Sequence, residues 1–277
     1  MNILFIIFLV IFGLLIGSFL NVVALRYNTG KSIGGRSECF SCGHTLSWKD
    51  LFPLFSFLLQ RGRCRYCSSV ISIDNIYAEI TTGLFFGLIA ARGIFSGYVD
   101  FLNPEYLVST IFLFFVFSVL IIIFLYDIKH KIIPDLLSFI FGASAFISLF
   151  FFEFINGTYL YTGFHYPDWI HVVAGLLVPL PFFLIWIVSK GKWIGLGDPK
   201  LMVGMGFLFG IAQGFSSVFV SFWIGALFAI ALITVNALYK KRLMQLGKKS
   251  IMKTEIPFAP FLIIATLITI IFDINIL

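Results

Sequence analysis

Residues 201 to 238 contain no charged side chain, and apolar stretches near or above the ~20 residues that cross a ~30 Å hydrocarbon layer recur along the rest of the chain. Charged residues make up only 12% of the 277 positions, against about 25% in soluble domains, while 60% are hydrophobic and 36 are Phe. Lipid is the solvent for such a chain. The sequence therefore reads as an all-α polytopic membrane protein of about eight transmembrane helices.

The expected spans run from Ile3 to Leu25, Ile76 to Phe95, Leu107 to Tyr126, Ile133 to Phe152, Trp169 to Ser189, Leu201 to Ala212, Ser216 to Tyr239 and Ile256 to Phe272. The sixth and seventh are divided at Gln213 and Gly214, because one straight helix over the uncharged run would far exceed the bilayer. A re-entrant segment is the alternative there. Three regions follow: residues 1–25 as a first transmembrane helix, 26–75 as a cytosolic tetracysteine loop, and 76–277 as a seven-helix membrane domain.

Charge supports this division, since cytoplasmic loops collect Lys and Arg. Segments 26–75, 127–132, 190–200 and 240–255 hold seven, two, three and six of them, which is 18 of the 19; only Arg92 falls elsewhere. Both termini are then expected outside and every basic loop in the cytosol. Lys240, Lys241, Arg242, Lys248 and Lys249 read as topology markers facing anionic lipid headgroups, and the net charge of +6 calls for no nucleic-acid partner. No basic residue precedes the first apolar run and Arg26 follows it, as in a reversed anchor rather than a cleaved signal.

All four cysteines lie in the first loop, as Cys39-Phe-Ser-Cys42 and Cys64-Arg-Tyr-Cys67. Two CxxC turns can close the tetrahedron of thiolates that structural zinc prefers, and a reducing cytosol argues against disulfides. The 21 residues between the pairs slightly exceed the usual spacing of about 15 to 20. Leu51 to Leu59 is apolar but too short to span, so it either folds over the metal site or lies on the membrane surface.

Carboxylates at a membrane boundary are expensive and are functional candidates by default. Asp168 and Asp273 read as solvated, and Asp135, after Pro134, as a helix-start residue. Glu79 opens the second span at the cytosolic side, where it is either an interfacial helix-start anion or part of a site. Asp127 and Asp198 differ from these: 71 positions apart, they sit at cytosolic ends of spans at one membrane depth. Asp198 lies at the favourable start of a helix, in Gly195-Leu-Gly197-Asp-Pro-Lys200-Leu, whereas Asp127 ends one. That asymmetry suits two carboxylates sharing a proton, although paired boundary carboxylates also serve ion transport.

Taken together, these residues resemble the prepilin peptidases, or type IV leader peptidases, which are GxGD aspartyl proteases. The likeness is carried by Gly17-Ser-Phe-Leu-Asn21-Val-Val, the double CxxC with Arg61-Gly-Arg-Cys-Arg-Tyr-Cys67, Ile71-Ser72, Asp127-Ile-Lys-His-Lys-Ile-Ile-Pro-Asp135, Gly195-Leu-Gly-Asp-Pro-Lys-Leu, and Ile256-Pro-Phe-Ala-Pro-Phe. It implies a catalytic pair of Asp127 and Asp198, with Gly195, Gly197 and Lys200 supporting the loop and Asp135 outside the pair. It further implies cleavage of a short basic leader from a prepilin or pseudopilin at the cytosolic face of a bacterial inner membrane. N-methylation of the new terminus from S-adenosylmethionine would follow. The chain departs from the family at Ile73-Asp-Asn-Ile-Tyr77, where Arg-Tyr-Pro is usual, and at Arg26-Tyr-Asn28, where Arg-Leu-Pro is frequent. The alternatives are a broader GxGD intramembrane aspartyl protease, sharing Tyr126-Asp127 and Gly-Leu-Gly-Asp, and a non-enzymatic ion-coupled transporter or assembly factor.

Overall fold

The computed structural model describes residues 2–30, 32, 34–39, 41–95, 103–155, 158–243 and 256–276. Lys248 and Lys249 lie outside the described residues. Two compact units divide the chain between Tyr126 and Asp127.

The first unit holds α1 (Asn2–Arg26), a 3-10 turn at Trp48–Asp50, α2 (Phe55–Leu59), α3 (Asp74–Phe95) and most of α4 (Pro104–His130). In lipid no hydrophobic effect pulls helices together, so close contact of small residues must do it. Helices α1 and α3 meet in this way: a Cβ on Gly13 would stand 2.8 Å from the Cα of Gly83, and one on Gly17 would stand 2.7 Å from the carbonyl of Ala78. Nearer the Arg26 end of α1, Asn21 donates to Asn75. Hydroxyls inside the apolar helices bond back to their own backbone, as Thr82 does to Ala78 at 2.7 Å and Thr110 to Tyr106 at 2.9 Å. Phe86 stacks on Phe114 with ring centroids 3.9 Å apart, joining α3 to α4.

The second unit begins at Asp127 and contains α5 (Asp135–Ser148), an antiparallel hairpin of β1 (Phe152–Ile155) and β2 (Thr158–Tyr161), α6 (Trp169–Leu177), α7 (Leu180–Ser189), α8 (Gly197–Leu243) and α9 (Ala259–Phe272). Helix α8 packs against α5, α6 and α9. Glycines again set the spacing, since a Cβ on Gly206 would enter the backbone of Ala174 and Gly175, and one on Gly214 would stand 2.9 Å from Val178.

Four stretches among the described residues are long and apolar enough to cross a membrane: Ile3–Arg26, Pro104–His130, Trp169–Ser189 and Gly197–Val235. Apolar α5 and α9 have only 14 residues each, about 21 Å at ~1.5 Å per residue, so length alone does not make them crossings. Outward-facing Ile3, Leu4, Phe8, Trp223 and Leu227 are exposed by 60% or more, as expected of side chains that meet lipid.

The structure corrects three details of the sequence reading. The fourth expected span, Ile133 to Phe152, is helical only over Asp135–Ser148, and Phe152 opens the β1–β2 hairpin, which an all-α chain would not contain. The long uncharged run is interrupted at Gly210, not at Gln213 and Gly214, which are helical. Gly210 has φ 74° and ψ −168°, a conformation essentially reserved for glycine, and a Cβ there would stand 3.0 Å from the His171 ring. Gln213 instead uses its polar end to donate to Asp273 Oδ1 at 2.5 Å, so Asp273 is partnered rather than simply solvated. Asp168 is exposed, as expected, and stands at the N-cap of α6.

Candidate active site

Helix α4 ends because Lys131 turns into the left-handed region at φ 55°, its N–H bonding the Asp127 carbonyl at 2.7 Å. Asp127 therefore lies in the last turn of α4. It is only 4% exposed, and its Oδ2 atom has no hydrogen-bond partner among the described residues. The backbone N–H of Ala259, first residue of α9, faces this carboxylate. A helix start carries orphan N–H groups and partial positive charge, which offsets the unfavourable position of a carboxylate at the other helix's end. This contact was not legible from side chains, although Ile256-Pro-Phe-Ala-Pro-Phe marked the segment.

Asp198 is the second residue of α8, half-buried and within electrostatic reach of Asp127. The two flanking glycines have different local surroundings. A Cβ on Gly197 would stand 2.7 Å from the Cβ of Ile133, so its absence lets the start of α8 approach the turn before α5. A Cβ on Gly195 would lie 3.9 Å from Asp198 Oδ2 and would narrow the approach to that oxygen. Lys200 points elsewhere: its Nζ is 2.6 Å from Asp135 Oδ1, in an ion pair whose carboxylate is 81% exposed.

The second unit thus brings Asp127 and Asp198 together and leaves Asp135 outside. A buried carboxylate with an unsatisfied oxygen, beside a second carboxylate, can share one proton, polarise a water and hydrogen-bond a carbonyl oxygen. Glu79 is buried in the first unit, where it accepts the backbone N–H of Leu54 at 2.9 Å.

The cysteines converge. Their four sulfurs all lie within 4.8 Å of one another, and Cys39 and Cys67 are 3.8 Å apart. Zinc–sulfur bonds of about 2.3 Å in a tetrahedron give edges of about 3.8 Å, so the donor set and its size fit zinc. Both knuckles are built alike, a repeat that the sequence reading missed. Gly43 N–H bonds the Cys39 carbonyl and Ser68 N–H the Cys64 carbonyl, each at 2.9 Å. Both residues after the CxxC have positive φ, 68° at Gly43 and 58° at Ser68.

Backbone N–H groups of Cys42 and Ser41, assisted by the Ser69 hydroxyl, hold the Cys39 thiol down to about 6, and Ser69 lowers Cys67. Cys42, despite a donor at His44, is pushed up to about 11 by lost hydration and by the neighbouring charge of Cys39. Four thiols competing for negative charge are what a divalent cation relieves.

Beside the second knuckle, Asp50 accepts the Ser47 hydroxyl at 2.7 Å, the Ser47 N–H at 3.1 Å and Gln60 Nε2 at 2.9 Å, and pairs with Arg65 at 3.3 Å. Burial pushes its carboxyl up, but these donors prevail and hold it below the ordinary value.

A membrane-embedded helical protein with a carboxylate pair and a four-thiolate site is defined by these features, and comparison with known proteins gives it a family. Residues 11–92 match the bacterial Peptidase A24 N-terminal domain, and residues 113–230 match the type IV leader peptidase family. A prepilin leader peptidase/N-methyltransferase of Bacillus subtilis is 30% identical over 253 residues, covering 91% of this chain and 88% of the relative. The enzyme of the same description from Aeromonas salmonicida is 26% identical, covering 92% and 86%. That of Myxococcus xanthus is 48% identical over a shorter stretch, 30% of this chain and 25% of the relative. No solved structure matches the chain at a significant level. The chain belongs to the type IV leader peptidase family. It is a peptidase and a membrane protein.

Proposed function

We propose that Asp127 and Asp198 form the catalytic dyad of an aspartyl endopeptidase that removes the short basic leader of type IV prepilins or pseudopilins. Support comes chiefly from the buried Asp127 carboxylate, whose Oδ2 is unpartnered and which lies within electrostatic reach of Asp198. One carboxylate activates water while the other, protonated, donates to the scissile carbonyl; their roles exchange as the shared proton moves. Gly195 keeps the approach to Asp198 open, Gly197 lets the start of α8 pack on Ile133, and Lys200 secures the loop through Asp135.

The reaction takes place at the cytosolic face of the bacterial inner membrane, with both termini outside and eight spans in all. Alternating basic segments support this topology. The substrate's apolar helix partitions into the bilayer and leaves its basic leader on the side of the carboxylates. Residues 26–75 form the zinc loop, Cys39, Cys42, Cys64 and Cys67 being the ligands, and 76–277 the peptidase domain. The names of the relatives support a second activity, transfer of a methyl group from S-adenosylmethionine to the new N-terminal amine.

Incubating purified protein with a prepilin, with and without S-adenosylmethionine, and weighing the products by mass spectrometry tests both activities. Loss of the leader is expected in both samples and an added 14 Da, one methylene, only with the methyl donor. An uncut prepilin sinks the proposal.

A further inference from the structure

The middle of the tetracysteine loop is apolar and faces outward. Helix α2 exposes Phe55 by 61%, Leu58 by 72% and Leu59 by 80%, with Trp48 at 73% and Leu51 and Phe52 beside it. An exposed apolar patch of this kind, rimmed by charged residues, marks an interaction surface. Basic residues Lys49, Arg61 and Arg63 flank it and are all exposed, Lys49 Nζ lying 5.6 Å over the Trp48 ring.

One hydrogen bond ties this segment to the α1–α3 pair. Leu54, which immediately precedes α2, donates its N–H to the buried carboxylate of Glu79 at 2.9 Å. Glu79 lies on α3 against Gly17 of α1, where a Cβ would stand 2.9 Å from the Glu79 Cα. The apolar stretch of α1 has 24 residues, about 36 Å at ~1.5 Å per residue, so centring it on a ~30 Å hydrocarbon layer leaves about 3 Å beyond each boundary. Gly17 is nine residues (26 minus 17) from the Arg26 end, or about 13 Å, which puts the Glu79 Cα about 10 Å beneath the boundary. The Glu79 side chain, leaning toward the start of α3 at the Arg26 end, carries its carboxylate and Leu54 part of the way back toward that boundary. Apolar faces of interfacial helices reach a similar depth, about 5–10 Å. Water is scarce at that level, and a backbone N–H needs a protein acceptor, which Glu79 supplies.

We propose that residues 48–59 are an interfacial anchor seated in the lipid leaflet at the Arg26 end of α1. The side chains of Phe55, Leu58 and Leu59 enter the acyl region, Lys49, Arg61 and Arg63 meet anionic headgroups, and Glu79 tethers the segment to the helix pair. The second knuckle is coupled to this anchor, because Gly62 N–H bonds the Phe57 carbonyl at 2.9 Å and the Gly62 carbonyl accepts from Ile71 at 2.8 Å. The metal site is thus held at the membrane surface. This inference rests on α1 crossing the membrane, not on the reaction proposed above.

The test uses full-length protein in nanodiscs of phosphatidylcholine and phosphatidylglycerol, with Leu58→p-acetylphenylalanine coupled to a nitroxide through its ketone so that the cysteines stay untouched. Collisions of the label with dissolved oxygen are expected to outnumber those with a water-soluble nickel chelate. Replacing the phosphatidylglycerol by phosphatidylcholine should make the label shallower. Adding Glu79→Ala should move it further toward water while circular dichroism shows the helix content kept. A label that meets nickel more than oxygen lies in water, and one shielded from both lies under protein; either overturns the proposal. A depth unmoved by Glu79→Ala overturns the tether, and one unmoved by lipid charge overturns the headgroup contact. Cleavage can be intact in any of these outcomes, so failure here is distinguishable from failure of the protease reading.

Discussion

Lys200 Nζ lies 2.6 Å from Asp135 Oδ1, so the cation two residues beyond Asp198 is engaged by a carboxylate outside the Asp127–Asp198 pair. Both partners are substantially exposed, and exposed ion pairs contribute about 0–1 kcal/mol. Asp135→Asn should therefore retain substantial peptidase activity, within about tenfold of wild type, since a loss of 1 kcal/mol in positioning the loop corresponds to roughly fivefold. Steady-state cleavage of a prepilin checks this. Inactivity equal to that of the Asp127 variant would overturn the division of roles.

Asp127→Asn and Asp198→Asn should each lower cleavage by several orders of magnitude without unfolding the protein. Because the pair acts as a unit, the double variant should be little worse than either single one. The pH–rate profile should show two apparent ionisations that belong to the pair. Single-turnover cleavage across a pH series, with helix content followed in parallel, provides the measurement. Additive losses in the double variant would mean that the two carboxylates act separately.

Much of this site was legible because the costly residues announce themselves. A carboxylate beside an apolar run, or two CxxC pairs in one basic loop, has few inexpensive explanations. What stayed hidden was backbone and void. Ala259 reaches Asp127 through an N–H that every non-proline residue carries, and Leu54 reaches Glu79 in the same way. The break in α8 was misplaced because Gln213 looked like the interruption; Gly210, one of many glycines in apolar helices, adopts the required backbone angles. The hairpin Phe152–Ile155 and Thr158–Tyr161 escaped notice because the fourth expected span stops at Phe152 and the Asn156-Gly157 pair beyond it, a usual sequence signal of a hairpin, was not weighed.

Asp50 gives the tetracysteine loop a pH dependence of defined sign. Its folded carboxyl lies below the ordinary value of about 3.9, so the stabilisation is fully present above that value and is lost as pH falls through the folded one. In metal-free protein, protection of the amides of residues 47–66 from hydrogen exchange should hold from neutral pH to about pH 4 and decline below it. Asp50→Asn should lower protection by an amount worth about 1–3 kcal/mol above pH 4, the difference from wild type shrinking in more acid solution. A difference that grows on acidification would mean that the carboxyl donates in the folded loop.

Loss of a thiolate should give a pattern unlike loss of a carboxylate. All four sulfurs lie within 4.8 Å of one another, so each supplies one corner of a single site. Metal binding contributes directly to the order of such a loop, and Cys39→Ser alone should release most of the zinc and loosen residues 39–67. Cys42→Ser, Cys64→Ser and Cys67→Ser should behave alike. Membrane insertion should continue, because apolar length and loop charge determine it and neither changes. Residual cleavage should stay well above that of Asp127→Asn, the deficit reflecting substrate positioning rather than chemistry. Elemental analysis of wild type should find about one zinc per chain. Metal-free wild type, or a disulfide between the knuckles in reducing buffer, would refute the zinc site while leaving the carboxylate pair as it stands.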